Sequence, residues 1–409
     1  MLFCALPGLV VGQPQPETVL TLENSIRRVL KIAPETRSAQ ALVSAREGAL
    51  QQAGAWPNPQ IELRVDDKIG KNDGAGGNEL TQFAFSQPLP LSGRLGDQKA
   101  IAGAELEAAR AERRYQQLRL EAQVARRYHT LQLATDRLRL AEQRLQLADE
   151  LQEVGRRREQ AGELSRLERL RLDLIRESAQ QILDKTEGET NEALSQFRAY
   201  LSLTPETPPR LTPLEPFDAF PALAQWQADL PNHAVLLAAQ HRLTAARSAM
   251  DLARAERLPD PTLRLFRERD YLNGRTQDVT GIGIGISVPL WDRRTGRQSE
   301  ARGQMLLEQS KLQVLERDLA SRLQQSYLHL NHLVGQGKHF KVRVLEPAQQ
   351  VFDLTRKAYA SGEVKILSLI DANNTYFDAR ERYMELLQEA WLEAAELRLA
   401  AGRRLLEKN

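Results

Sequence analysis

The chain has 409 residues, of which 27% are charged and only 5% aromatic, and its formal net charge is +2. Ala, Leu, Glu, Arg and Gln dominate, a mixture that serves long helices with narrow apolar seams rather than compact globules. So small a charge, with acidic and basic residues interleaved along helical stretches, points away from nucleic acid and toward solvated faces laced with i, i+4 pairs.

Leu2 to Val11 form a short apolar run followed by Gly12 and QPQPET. It is too short to span a bilayer as a helix. Val10 and Gly12 supply small-residue cleavage cues, while the basic n-region is missing. Residues 1–18 are therefore expected to be the remnant of an export signal. Cys4 excludes an intrachain disulfide because it is the only cysteine, and Phe3 before it argues against acylation. Elsewhere no apolar stretch approaches the ~18 residues of a membrane-spanning helix, which excludes a helical membrane protein.

Residues 19–55 carry a helical pattern with a break at Pro34. Residues 59–69 then alternate, with Ile61, Leu63 and Val65 on one face and Glu62, Arg64 and Asp66 on the other. A polar, glycine-rich loop spans Gly70 to Asn78. A second strand over about 80–90 sets Phe83 and Phe85 against Gln82, Ala84 and Ser86. Helix is predicted over about 94–160, some 100 Å long at 1.5 Å per residue. It returns over about 165–203, and a Pro-rich linker fills 204–230.

The plan then repeats over 231–409. A helix from about His233 to Glu256 leads into a strand over 261–269 with Leu263 and Leu265 on one face. After a hairpin loop containing Asn273 and Gly274 comes a strand over 279–290. There Ile282, Ile284, Ile286 and Val288 share a face opposite Gly281, Gly283 and Gly285. Long helices are predicted over 293–360 and 364–406. Tyr128 and Tyr327 keep one offset within the two long helices.

Strands of this length and alternation suit a transmembrane β-barrel, with Ile61, Leu63, Val65, Phe83, Phe85, Leu263, Leu265, Ile282, Ile284 and Ile286 toward lipid. Four strands cannot close a barrel, and unpaired edges within a membrane are prohibitive, so oligomerisation is expected.

The duplicated plan resembles the TolC-like outer-membrane efflux factors. The resemblance rests on the WPNP and LPDP lead-ins, the Pro-Leu exits at Pro90-Leu91 and Pro289-Leu290, and the helix turns REQAGELSRLERLRL and KAYASGEVKILSLIDA. QPLPLSGR and GELSRLE are most similar to the branch serving heavy-metal cation exporters. The resemblance implies a mainly α fold with a small membrane β-barrel. Three copies would form a 12-stranded barrel in the outer membrane of a Gram-negative bacterium, continued by an α-helical periplasmic barrel. It further implies a passive exit channel for heavy-metal cations or drugs, not an enzyme, with no cofactor. The implied partners are a periplasmic adaptor protein, an inner-membrane pump of the proton-driven RND type, and outer-membrane lipid.

Carried over residue by residue, the resemblance makes Ala161, Gly162, Glu163, Ser361, Gly362 and Glu363 adaptor contacts at the periplasmic tip. A plain connection between antiparallel helices is the alternative. Asp371 falls where the family places a carboxylate of a closed-end constriction, while the companion position is Ser368. A ring of carboxylates would attract cations, although Asp371 also reads as an ordinary exposed charge. Tyr359 and Glu168 match members of the set that ties the tip shut. The basic member is replaced by Val364, with Lys365 adjacent, so a Glu168–Lys365 pair is a weaker expectation.

His329 and His332 read as solvated rather than metal-binding, and GIGIG reads as a strand, since no GxGxxG is complete. Arg156 to Arg158 read as a solvated basic face. A periplasmic coiled-coil scaffold without a pore is the competing reading. A secreted enzyme lacks any recognisable catalytic set.

Overall fold

Thr21 starts the first described element of the computed structural model, which covers residues 20–66, 80–203, 211–217, 220–272 and 275–406. The leader with Cys4, the Gly70–Asn78 loop, Asn273 and Gly274, and linker residues 204–210 and 218–219 lie outside the described residues. Thr21 Oγ1 accepts from the Asn24 amide at 3.2 Å and caps α1 (Leu22–Ile32). Pro34 then opens α2 (Pro34–Ala53), where a missing amide proton costs nothing in a first turn.

The strands are β1 (Gln60–Asp66), β2 (Leu80–Pro88), β3 (Thr262–Leu272) and β4 (Arg275–Gly285). The helices that follow are α3 (Arg94–Gln160), α4 (Arg166–Leu201), α5 (Leu223–Gln227), α6 (Ala234–Ala255), α7 (Thr295–Phe340), α8 (Glu346–Ala360) and α9 (Ile366–Ala401).

Two departures from the sequence pattern have identifiable causes. The second long helix is broken by a π turn at Lys341–Leu345, just before Pro347. Proline lacks the amide that would continue the i→i−4 ladder, and a π turn absorbs the mismatch. The last strand ends at Gly285 rather than near 290, so Ile286 lies beyond the ladder. Its partner β3 begins only at Thr262, which pairs with Gly285, and Pro261 precedes it. The hairpin strands run further toward the loop than 269 and 279, to Leu272 and from Arg275.

The chain forms two compact units, and each draws on both repeats. One comprises Pro34–Gln116 and Leu230–Ala320. It holds an antiparallel sheet in the order β1-β2-β3-β4. Its helical part packs Val43 of α2 against Leu106 and Ala109 of α3. Tyr115 lies 5.9 Å from the His233 ring at the start of α6, and Glu112 pairs with Arg242. All four strands join their helices at one end of the sheet, the end marked by Gln60, Pro88, Thr262 and Gly285.

The other unit takes residues 1–33, 117–229 and 321–409. One core gathers Ile26 and Val29 of α1, Leu120, Val124, Tyr128 and Leu131 of α3, and Phe197 and Leu201 of α4. The linker is strapped to α3 by side chains one turn apart. Tyr128 Oη lies 3.4 Å from Thr212 Oγ1, Gln132 Nε2 donates to the Thr212 carbonyl at 2.7 Å, and Asp136 accepts from the Leu214 amide at 3.0 Å. Glu121, almost wholly buried, holds the end of α9 through Arg404 and the Leu405 amide.

Candidate functional site

The sheet has two chemically opposed faces, because cross-strand partners share a face and the alternation is in phase on all four strands. On one face, Ile61 pairs with Phe85, Phe85 with Leu265, and Leu265 with Ile282. Leu63 pairs with Phe83, and Leu263 with Ile284. Phe85 and Leu263 are half-buried and the others are uncovered in the single chain: Ile61 is 69% exposed and Ile284 76%. An apolar surface this continuous marks a face that something apolar covers. Ile286 extends it past the strand end and is exposed as well.

The opposite face is polar. Arg264 donates to Glu62 and Gln82, and Gln82 donates to Glu268 at 2.9 Å. One aromatic interrupts it. Phe266 stands between its partners Ala84 and Gly281, and its ring occupies the space a Cβ on Gly281 would need.

The border of the apolar face runs diagonally. Its last apolar member is Val65 on β1, Phe83 one register step lower on β2, and Leu265 and Ile282 a further step lower on β3 and β4. Four residues of about 3.4 Å against three strand spacings of about 4.8 Å make a slope of about 45°. Trp56, the first residue of the WPNP lead-in, and Trp291 flank the sheet at its helix-bearing end and are exposed, Trp291 at 93%.

The second candidate is the pair of helix turns. Gly162 and Gly362 adopt φ +76° and +81°, the left-handed region that glycine enters without strain. Glu163 N donates to Arg158 O and Glu363 N to Ala358 O, each at 2.8 Å. Gly162 N donates to Glu159 O and Gly362 N to Tyr359 O. Both are Schellman closures, and Ala161, Glu163, Ser361 and Glu363 stand exposed around them.

Beneath the turns the two hairpins share one core. Leu151 and Leu172 of the first meet Phe352, Tyr359, Ile366 and Leu369 of the second. Within the first hairpin Gly155 lets α3 approach α4, since a Cβ there would collide with Leu172.

The tip residues fall into two groups. Tyr359 is buried in the shared core, with the Arg158 guanidinium 4.8 Å from its ring centroid. Arg158 Nη2 also donates to the Tyr359 carbonyl, so this arginine is not part of a solvated face, whereas Arg156 and Arg157 both reach Glu153. The Tyr359 hydroxyl is buried with no hydrogen-bond partner among the described residues.

Glu168 forms a capping box with Ser165: its amide donates to Ser165 Oγ at 3.3 Å, and its carboxylate accepts from the Ser165 hydroxyl at 2.8 Å and amide at 3.2 Å. Those bonds hold its carboxyl below the usual range, and Lys365 adds a weaker charge effect. The carboxylate is thus committed to its own helix start, and Lys365 acts on it by proximity rather than as a direct partner. Lys365 occupies the N-cap of α9 without a side-chain bond. Ser368 and Asp371 lie on the first turns of α9 as exposed residues, apart from the Tyr359 cluster.

His329 Nδ1 lies 3.0 Å from Glu393. Among the described residues no group of three or more His, Cys, Asp or Glu side chains is arranged to hold a metal ion. No described helix is long and apolar enough to cross a membrane.

Comparison with known proteins places this geometry. The outer membrane efflux protein family model matches residues 25–202 and 227–403, one segment in each repeat. The chain is 24% identical over 388 residues to the cobalt-zinc-cadmium resistance protein CzcC of Cupriavidus metallidurans, covering 94% of this chain and 90% of that one. It is 25% identical over 402 residues to protein CyaE of Bordetella pertussis, covering 94% and 84%.

Among solved structures, CusC superposes with a TM-score of 0.77 at 18% identity, covering 93% of this chain and 92% of that one. The outer-membrane channel OprN gives 0.78 at 18% identity, covering 93% and 89%. The outer membrane protein VceC of Vibrio cholerae gives 0.77 at 18% identity, covering 93% and 96%. A coiled-coil scaffold without a pore does not account for the four-stranded sheet of this chain. The chain belongs to the outer membrane efflux protein family and is a protein of the outer membrane.

Proposed function

We propose that the protein is the passive exit duct of a tripartite efflux system, assembled as a homotrimer and exporting heavy-metal cations. The observation that carries this reading is the two-faced sheet with open edges at β1 and β4. An apolar face of this kind belongs against lipid, and its polar reverse belongs against water. Open edges inside a bilayer leave backbone groups unpaired, so the sheet must close with copies of itself. Three copies give twelve strands, and the diagonal apolar border agrees with the ~35–45° tilt of strands in such barrels. Trp56 and Trp291 then stand at the periplasmic interface as aromatic anchors.

The helices form a periplasmic conduit that does no chemistry. Ala161, Gly162, Glu163, Ser361, Gly362 and Glu363 meet a periplasmic adaptor, which links the duct to an inner-membrane pump of the RND class. Asp371, with Ser368, lines the closing end, and Tyr359, Glu168 and Lys365 belong to the part that moves when it opens. The Tyr359 hydroxyl, buried and without a partner among the described residues, supports that role, because an unsatisfied buried hydroxyl favours any rearrangement that supplies a partner. The metal assignment rests on the similarity to the cobalt-zinc-cadmium resistance protein.

Light scattering on the species extracted from outer membranes in detergent tests the assembly. A trimer mass with ion conductance in planar bilayers is expected. A monomer soluble without detergent would remove the duct. Loss of the gene should sensitise cells to zinc, cobalt or cadmium more than to lipophilic drugs; the reverse would reassign the cargo.

A further inference from the structure

The outward face of β3 changes chemistry abruptly. Leu263 and Leu265 are followed on the same face by Arg267 and Arg269, about 7 and 14 Å further along the strand. β3 lies between β2 and β4, so the neighbours on that face are fixed by this chain. Thr81 and Phe83 flank the arginines on β2, and Asp278 and Thr280 on β4.

Both guanidinium groups turn toward one carboxylate. Arg269 donates to Asp278 at 2.8 and 3.2 Å, and Arg267 at 3.4 Å. Two cations share one anion, so a positive charge is left over. The arginine side chains remain 68% and 60% exposed. They lie on the side of the apolar face away from the helices. On the membrane reading proposed above, on which this inference rests, that is the headgroup level of the outer leaflet.

We propose that Arg267 and Arg269 bind phosphate groups on the headgroup of an anionic lipid of the outer leaflet, the phosphates competing with Asp278 for the guanidinium donors. Guanidinium forks match phosphate oxygens in bidentate geometry, and the long arginine stems reach the interface from apolar neighbours. The occupant is a lipid rather than free phosphate because the apolar surface adjoins the cations directly. Phe83 is the cross-strand partner of Arg267, and Leu265 and Ile282 come next on the same face. One ligand then satisfies both surfaces, its phosphate on the arginines and its chains on the apolar band.

The test uses the full chain purified in detergent, with native mass spectrometry and thermal unfolding. The probes are a bis-phosphorylated glycolipid (lipid A), phosphatidylcholine and inorganic phosphate. Lipid A should be retained and raise the unfolding temperature, while phosphatidylcholine and inorganic phosphate should not. Replacing both arginines (R267Q with R269Q) should weaken lipid A binding about tenfold or more, whereas Asp278→Asn, which frees both guanidiniums, should preserve or tighten it.

Equal binding by the double variant, or no preference for lipid A over phosphatidylcholine, would overturn the proposal; so would displacement of lipid A by inorganic phosphate. If the double variant fails to assemble, Arg267→Gln alone removes the longer contact and carries the same comparison. A detergent-dependent oligomer indifferent to the probes defeats only this inference. A protein soluble without detergent defeats the membrane reading beneath it.

Discussion

Asp260 of the second repeat holds Arg94 of the first. Their charged groups approach to 2.6 Å with the Asp260 side chain nearly buried, and Ser92 Oγ donates to the other carboxylate oxygen at 3.1 Å. The Asp260–Arg94 contact is a charge pairing rather than an aligned hydrogen bond, since neither atom has a bonding partner in good geometry. It ties the LPDP lead-in of β3 to the SGR exit of β2, at the place where the sheet hands over to α3.

Breaking that tie should weaken the whole handover. Asp260→Ala leaves Arg94 without its anion in a half-buried setting and should cost about 2 kcal/mol per protomer. Asp260→Asn keeps the Ser92 bond and should cost less. Thermal unfolding of the detergent-solubilised protein in the two variants checks the ordering; equal stability to the parent would show the pair to be incidental.

The Phe266–Gly281 pair makes a second prediction. Gly281→Ala places a methyl group where the ring lies, and overpacking of this kind costs about 1–3 kcal/mol. Adding Phe266→Ala should recover most of the loss by vacating the space. If the double variant is no better than Gly281→Ala alone, the ring is not what excludes the methyl group.

Gly155 and Leu172 offer the same experiment at the helical tip. Gly155→Ala should separate α3 from α4 near the turn, and Leu172→Ala should partly relieve it. Because Leu172 belongs to the core shared by both hairpins, Gly155→Ala should also raise the closed-state leak in planar bilayers. A leak identical to the parent would confine the effect to stability.

Most of this architecture is legible in the chain because its signals are local. Period-two alternation at Ile61–Leu63–Val65 and at Ile282–Ile284 fixes the faces, and Gly162 and Gly362 mark the helix ends through the backbone region they alone enter easily. Asn273-Gly274 is also the strongest short signal for a tight hairpin, and β3 runs to Leu272 and β4 from Arg275. Pro347 is the local signal beside the π turn. What stays hidden depends on side chains distant in sequence. The bond that commits Glu168 to Ser165 is a local S-x-x-E pairing, whereas Arg158 looks solvated until Tyr359, about two hundred residues away, lies beneath it. The same holds for the outward arginines, whose register against Phe83 and Asp278 exists only once the sheet is paired.

Asp371 is the residue on which the gate proposal stands or falls. It is exposed on α9, so replacing it with Ala should leave folding within about 0.5 kcal/mol of the parent. Asp371→Ala should reduce cation preference or change the closed-state leak, and Ser368→Asp should move both the other way. Conductance and reversal potential under a salt gradient read both. Unchanged selectivity in either variant would take Asp371 out of the gate.

His129 should make the helical part acid-sensitive in a defined window. It is 5% exposed, stacks on Trp391 at 5.2 Å and shares a hydrogen bond of 2.7 Å with Gln132. Arg398 and Glu215 line the same cavity. Burial lowers its pKa from the ordinary value of 6.5 to about 4, against a smaller opposing effect from Gln132. The unfolded chain therefore takes up a proton as the pH falls below about 6.5, while the folded chain stays neutral until about 4. Stability contributed by neutral His129 is complete above that window and declines through it, by about 3 kcal/mol per protomer in total. Replacing His129 with Gln removes the titrating group while keeping a polar side chain beside Gln132. The unfolding temperature of His129→Gln should then fall less steeply between pH 6.5 and 4 than that of the parent, whatever its value at neutral pH. Parallel slopes would mean that carboxylates, not this histidine, set the acid response.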